Sequence, residues 1–184
     1  MAINRKAFIR GLCLTGTCLC GFSSVAISAH QTAAELNQEQ DNNQILQEMI
    51  STLLANMDKS LRQDEVKKLL KNCSIIHYNN LGMDHLLENY KGDLEAFIHF
   101  IQDQWGWKIE YDKTTNTLVA DENRDYCVCP MLSKENKLQQ EICYCSEGFA
   151  ELMFSAVAQV AVSACVISSV RRGDPTCKYK IEFS

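Results

Sequence analysis

Two cysteine pairs dominate the chemistry this sequence can offer. Cys127-Val128-Cys129-Pro130 and Cys143-Tyr144-Cys145 each hold two thiols two residues apart, and thirteen residues separate Cys129 from Cys143. Alternate residues of an extended chain share a face. Antiparallel pairing of the two segments in a centred register therefore sets Cys127 opposite Cys145 and Cys129 opposite Cys143, so that four sulfurs converge on one patch. Such a set suits Zn²⁺, with an iron–sulfur cluster as the alternative, because thiolates are soft ligands and a four-cysteine shell is closed and structural. The same register allows two cross-strand disulfides, Cys127–Cys145 and Cys129–Cys143, and then no metal.

Cys145 has a second possible use. It stands before Ser146, the expected N-cap of a helix, where the positive end of the helix dipole favours a thiolate as ligand or nucleophile. Cys73 and His77 lie four residues apart and would share a helical face, as a chelating pair or as thiol and base. Val66, Leu69 and Leu70 fall on that same face, which makes core packing the plainer reading. Asp174 reads as a turn residue and Cys177 as an inward strand residue, and both are further site candidates. His85 and His99 read as surface or helix residues. No Ser-His-Asp order, phosphate loop or paired-carboxylate pattern is present.

The positioning elements can be read from hydrophobic period. Residues 30–43 are rich in Gln, Asn and Glu and read as a flexible tether. Ile45, Leu46, Met49, Ile50, Leu53, Leu54 and Met57 recur at helical spacing. Asp64 is expected to cap a second helix carrying Val66, Leu69, Leu70 and Cys73 on one face. Asp84 and Asp93 are expected to cap two more, the latter with a Leu94, Phe97, Ile98, Ile101 and Trp105 stripe. After Gly106 the period becomes two. Trp107–Tyr111 and Thr117–Ala120 flank Asp112–Asn116 as a hairpin. A helix over Glu147–Val157 follows, then a strand over Val160–Arg171, a turn at Arg172–Pro175, and a last strand with Cys177, Tyr179, Ile181 and Phe183 inward. This order predicts an α+β fold: N-terminal helices, then an antiparallel sheet of two hairpins with a crossing helix.

The first 29 residues read as a signal peptide. Arg5, Lys6 and Arg10 precede an apolar run over Gly11–Ala26, with no acid before Glu35 and a small residue at Ala26 or Ala29 for cleavage. Asn4-Arg5-Lys6-Ala7-Phe8-Ile9-Arg10 resembles a bacterial twin-arginine signal, with Lys6 in place of the second arginine. Export to the periplasm or beyond, by the Sec or the twin-arginine route, is the expectation. The apolar run is too short for a stable membrane span. Cleavage after Ala29 leaves a single domain over 44–184 behind its tether, shifts the net charge from −5 to −8, and leaves seven of the ten cysteines. An odd count forbids complete internal pairing. At 46% apolar and 22% charged residues the composition is that of a folded domain. Its acidity excludes a nucleic-acid partner that needs a basic surface.

One resemblance adds to this reading. Val166 to Ile181, with Gly173, Asp174, Cys177, Tyr179 and Ile181 at the matching positions, resembles the closing hairpin of the L-2-amino-thiazoline-4-carboxylic acid hydrolase-like family. The related 4-vinyl-reductase-type domains end similarly. Tyr126 to Phe183 also looks like exported bacterial proteins with the same Cys-Val-Cys-Pro and Cys-Tyr-Cys-Ser pieces. The resemblance implies a helix crossing an antiparallel sheet and a small-molecule pocket with cysteine or metal chemistry. Three functions result: an exported cysteine-rich metal-binding domain with a small organic ligand, a hydrolase of a cyclic amidine-like C–N bond using metal-activated water or Cys145, and a disulfide-stapled interaction module. The sequence specifies neither substrate nor oligomeric state.

Overall fold

The computed structural model describes residues 33–129, 131–132 and 139–184, with side chains from Asn43 onward. The expected signal segment lies outside the described residues. Among these residues no helix is long and apolar enough to cross a membrane.

Helix α1 (Ala33–Ser60) and helix α2 (Gln63–Asn80) form an N-terminal pair. Residues 33–43 are thus helical rather than a tether. Ala33-Ala34-Glu35-Leu36 and the following Gln and Glu residues are good helix formers, and polarity alone does not unwind them. Only part of the α1 stripe is used: Leu54 is buried, whereas Ile45, Leu46, Met49 and Leu53 are exposed. Asp64 is not the cap of α2. It stands inside the first turn, and Glu65 accepts the backbone N–H of Arg62 at 3.0 Å. On α2, Val66 and Leu70 face inward, while Leu69 and Cys73 are exposed.

Helix α3 (Met83–Leu87) starts from Gly82, whose φ of 61° is left-handed and suits a residue without Cβ. Helix α4 (Leu94–Phe100) begins as expected, with Asp93 accepting the N–H of Ala96 at 2.9 Å, and ends in one π turn over Ile101–Trp105. Strand β1 (Lys108–Asp112) pairs antiparallel with β2 (Thr117–Asp121) across a turn in which Asp112 accepts the N–H of Thr114 at 2.8 Å. Helix α5 (Cys143–Ala158) then precedes β3 (Val162–Ser168) and β4 (Lys178–Phe183). The sheet order is β1-β2-β4-β3, antiparallel throughout. The fold is α+β, with α5 packed across one face of the sheet.

The main core lies between that face and the helices. It is built from Phe97, Ile101, Leu118, Phe149, Met153, Phe154, Val157, Tyr179 and Ile181, among others. A smaller apolar cluster gathers Leu54, Val66, Leu70, Leu132 and Ile142, with Cys129 against it. Cys143 borders both clusters.

Helix α5 is held from two sides. A Cβ at Gly148 would lie 2.7 Å from Ser74 Oγ and 2.8 Å from Lys71 Cα, so α2 and α5 touch almost backbone to backbone. One residue earlier, buried Glu147 accepts the N–H of Val166 at 2.9 Å and pairs with Lys67 at 2.8 Å. One turn later, Glu151 accepts the N–H of Ala164 at 2.9 Å and pairs with Lys71. Strand β3 is a sheet edge, and these two carboxylates occupy donors that no strand covers.

In an open helical position, alanine for glycine stabilises by about 1 kcal/mol. Gly148→Ala should instead destabilise by about 1–3 kcal/mol, because α2 backbone rather than a flexible side chain opposes the new methyl. Urea unfolding of the variant checks the sign; a gain in stability would show that the helices are not in this contact.

Candidate functional site: a thiol cluster around one turn

Beyond β3 the chain does not continue as a strand to Arg171. The register slips between Val166 and Ser168, and a 3₁₀ turn over Val170–Arg172 follows. Such a bulge bends the strand and redirects it. Asp174 fixes the turn from below: it accepts the N–H of Ser169 at 2.7 Å, and its own N–H reaches Ser169 O at 3.1 Å. Arg172 Nη1 ties the turn back to Val166 O at 3.3 Å.

Three consecutive residues of this segment each meet a different sulfur. The Ser169 hydroxyl, on a buried residue, lies 3.2 Å from Cys143 Sγ. The backbone amide of Val170 lowers the pKa of the Cys177 thiol. Nε of the buried Arg171 donates to Cys127 Sγ at 3.1 Å. At a fourth thiol, Cys129, the Met131 and Leu132 amides lower the pKa against the larger effect of burial. Cys145 has no such donor among the described residues.

The thiols also act on one another. Burial pushes Cys129 and Cys143 upward, and the Cys127 charge adds to both. Cys145 is pushed up to about 11, first by burial and then by Cys129, Cys73 and Cys143. Cys177 is also pushed up to about 11, by burial and by Glu122, Cys143 and Cys127, against the lowering effect of the Val170 N–H. Arg171 opposes this trend at Cys129, and Arg172 at Cys143. The cluster is therefore a group of mutually coupled thiols with two arginines beside it. All seven cysteines in the described residues are free thiols. Among those residues no three His, Cys, Asp or Glu side chains are gathered tightly enough to hold a metal as they stand.

The sequence expectations fare unevenly. Cys129, Cys143 and Cys145 fall within electrostatic range of one another, and Cys127 within range of Cys129 and Cys143, but not through paired strands. Cys127 and Cys129 lie in an irregular segment, and Cys143 and Cys145 occupy the first turn of α5. The centred strand register does not exist. Ser146 is inside the helix rather than its cap; Cys145 lies in the first turn, and burial nevertheless raises its pKa. His77 packs its ring on Phe149 at 4.9 Å, and Cys73 is exposed within electrostatic range of Cys145. Asp174 holds the turn, and Cys177 joins the cluster. Ser169 and Arg171 were missed by sequence reasoning because β-branched Val160–Arg171 reads as one strand. The signal available was the Gly173-Asp174-Pro175 turn, which begins at Ser169.

The coupling has a pH consequence. Cys145 and Cys177 ionise at about 11 in the folded chain and at about 8.5 when unfolded. Thiols raised by folding favour the native state below the unfolded value and cease to do so as pH climbs through the folded one. The urea midpoint of reduced, metal-free protein should fall as pH rises from about 8.5 towards 11. Iodoacetamide near neutral pH should label Cys145 much more slowly in the native than in the urea-unfolded chain. Equal labelling rates, or a midpoint rising over that window, would contradict the buried cluster.

Comparison with known proteins adds the following. The crystal structure of a trafficking protein particle complex subunit 3 from Naegleria fowleri, covalently bound to palmitic acid, superposes with a TM-score of 0.52 at 11% identity, covering 79% of this chain and 96% of that one. At that identity the likeness is one of fold. No curated protein sequence matches the chain. A model of a family of unknown function, DUF6144, matches residues 22–184, and the chain belongs to that family.

Proposed function

We propose that this protein is an exported domain whose cysteine cluster binds one soft metal ion, Zn²⁺ by preference, through Cys127, Cys129, Cys143 and a fourth thiol, Cys145 in the sequence-derived set. One observation carries the reading: Cys127 and Cys143, from separate segments, meet the same turn, at Arg171 Nε 3.1 Å and the Ser169 hydroxyl 3.2 Å from their sulfurs. Metal-bound thiolates use such outer contacts to fix orientation and spread charge. Four thiolates around a divalent ion carry a net −2. Arg171, which donates to Cys127, and Arg172, which acts on Cys143, supply the opposite charge.

A closed four-thiolate shell is structural rather than catalytic, because it leaves no open position for water or substrate. The hydrolase reading draws less support, since burial holds Cys145 protonated at neutral pH. The acidic, seven-cysteine mature chain and its apolar leader support function outside the cytoplasm.

Protein purified under reducing conditions without chelator should carry about one metal equivalent by elemental analysis, and removal by a strong chelator should lower its thermal midpoint. Failure of the reduced protein to take up Zn²⁺ or Co²⁺, with Cys127–Cys145 and Cys129–Cys143 bridges found by non-reducing mass mapping, would replace the metal by a disulfide staple.

A further inference from the structure

The N-terminal helical pair has a second apolar face, turned away from the domain. Met49 and Ile76 are each 63% exposed and Leu53 59%, with Ile45, Leu46 and Leu69 also open to solvent. Single exposed residues of this kind are ordinary, but a continuous stripe of them marks a contact surface.

The stripe is continuous on both helices. At about 100° per residue, Ile45, Met49, Leu53 and Leu46 fill an arc of about 100° on α1. Met57, Ile50 and Leu54 follow next around the axis, within or against the smaller apolar cluster. On α2, Ile76, Leu69 and the exposed Cys73 fill about 60°, and buried Val66 and Leu70 follow in the same sense. Only Leu61 and Arg62 join the two helices, and Leu54 shares a cluster with Val66 and Leu70, so the pair is an antiparallel hairpin. Antiparallel packing reverses the sense of rotation on one helix. Both open stripes therefore emerge on the same side of the hairpin.

We infer that this face is the contact between two copies of the chain, related by a two-fold axis, in which the two hairpins close into a four-helix bundle. The spacing fits a helical partner. Leu46, Met49 and Leu53 recur at intervals of three and four residues, and Leu69, Cys73 and Ile76 at four and three, the repeat by which side chains of one helix seat between those of another. The size fits as well. Residues 43–60 of α1 and 63–80 of α2 each span about 27 Å at a width of about 10 Å, a face of about 550 Å² per chain. Two copies then bury about 1,100 Å², past the roughly 1,000 Å² that a specific interface needs. The rim decides between a second copy and a lipid surface. Exposed Glu48 and Lys59 edge the stripe on α1, and exposed Glu65 and Lys68 the stripe on α2. Both signs on one rim suit a self-complementary contact, whereas a helix that lies on a membrane is edged by Lys and Arg.

Sedimentation equilibrium of the reduced protein in chelator, which removes any metal-bridged association, tests the inference. A monomer–dimer equilibrium should appear between about 0.1 and 100 µM. Met49→Glu and Ile76→Glu should each weaken it more than about tenfold, because each sets a carboxylate in an apolar contact. Ile167→Glu, on the exposed face of β3, should leave it unchanged. Both target residues are exposed in the single chain, so the urea midpoint of monomeric variants should match that of wild-type monomer. The unaltered chain offers a second readout. With N-ethylmaleimide in excess, labelling of Cys73 should slow several-fold as protein concentration crosses the dimer midpoint. A monomer at every concentration would overturn the inference. So would a dimer that survives both substitutions, or one in which Cys73 labels at a constant rate. A monomer that binds phosphatidylcholine vesicles, and loses that binding on Met49→Glu, would assign the face to lipid instead.

Discussion

The contact between α2 and α5 at Gly148 constrains everything that follows it. The two helices approach so closely there that no side chain fits, which sets the axial position of α5. Glu147 secures the same point electrostatically. A buried, unpaired carboxylate would be costly, but here one oxygen takes a β3 amide and the other meets Lys67. Glu151 and Lys71 repeat the arrangement one turn on. Helix α5 is thereby fixed to α2 on one side and to the edge of the sheet on the other. Its first turn, with Cys143 and Cys145, inherits that placement.

The second constraint is the bend that ends β3. Once the register slips after Val166, the chain is free to turn, and Asp174 closes it by holding Ser169 at both backbone groups. The turn then lies against Cys143, Cys177 and Cys127, which come from a helix start, a strand entry and an irregular segment. Spacing along the chain does not relate these three. Their meeting is a product of the sheet order, since β4 pairs with both β2 and β3 and so brings Cys177 beside both the Cys127 segment and the 169–172 turn.

Much of the architecture was legible in the sequence. The period of two over Lys108–Asp112, Thr117–Asp121 and Lys178–Phe183 is the direct imprint of a sheet buried on one face, and Asp93 and Asp112 act through local hydrogen bonds that their spacing announces. The start of α5 was not legible. Cys143-Tyr144-Cys145 has modest helix propensity and an alternation that mimics a strand, and only its packing against α2 and the smaller apolar cluster makes it helical. The helix over residues 33–43 was hidden for the opposite reason, since its polar residues are good helix formers without an apolar stripe. The paired-strand register of the two cysteine segments was misjudged because Cys143 and Cys145 lie on a helix, and the Arg171 contact to Cys127 leaves no spacing pattern.

The central claim is that a metal ion sits among these thiols in a shell made only of sulfur. X-ray absorption at the zinc edge of reduced, zinc-loaded full-length protein tests it most directly. The account predicts about four sulfur neighbours at about 2.3 Å and no nitrogen or oxygen in the first shell. A first shell of nitrogen or oxygen at about 2.0–2.2 Å, or one dominated by water, would contradict it.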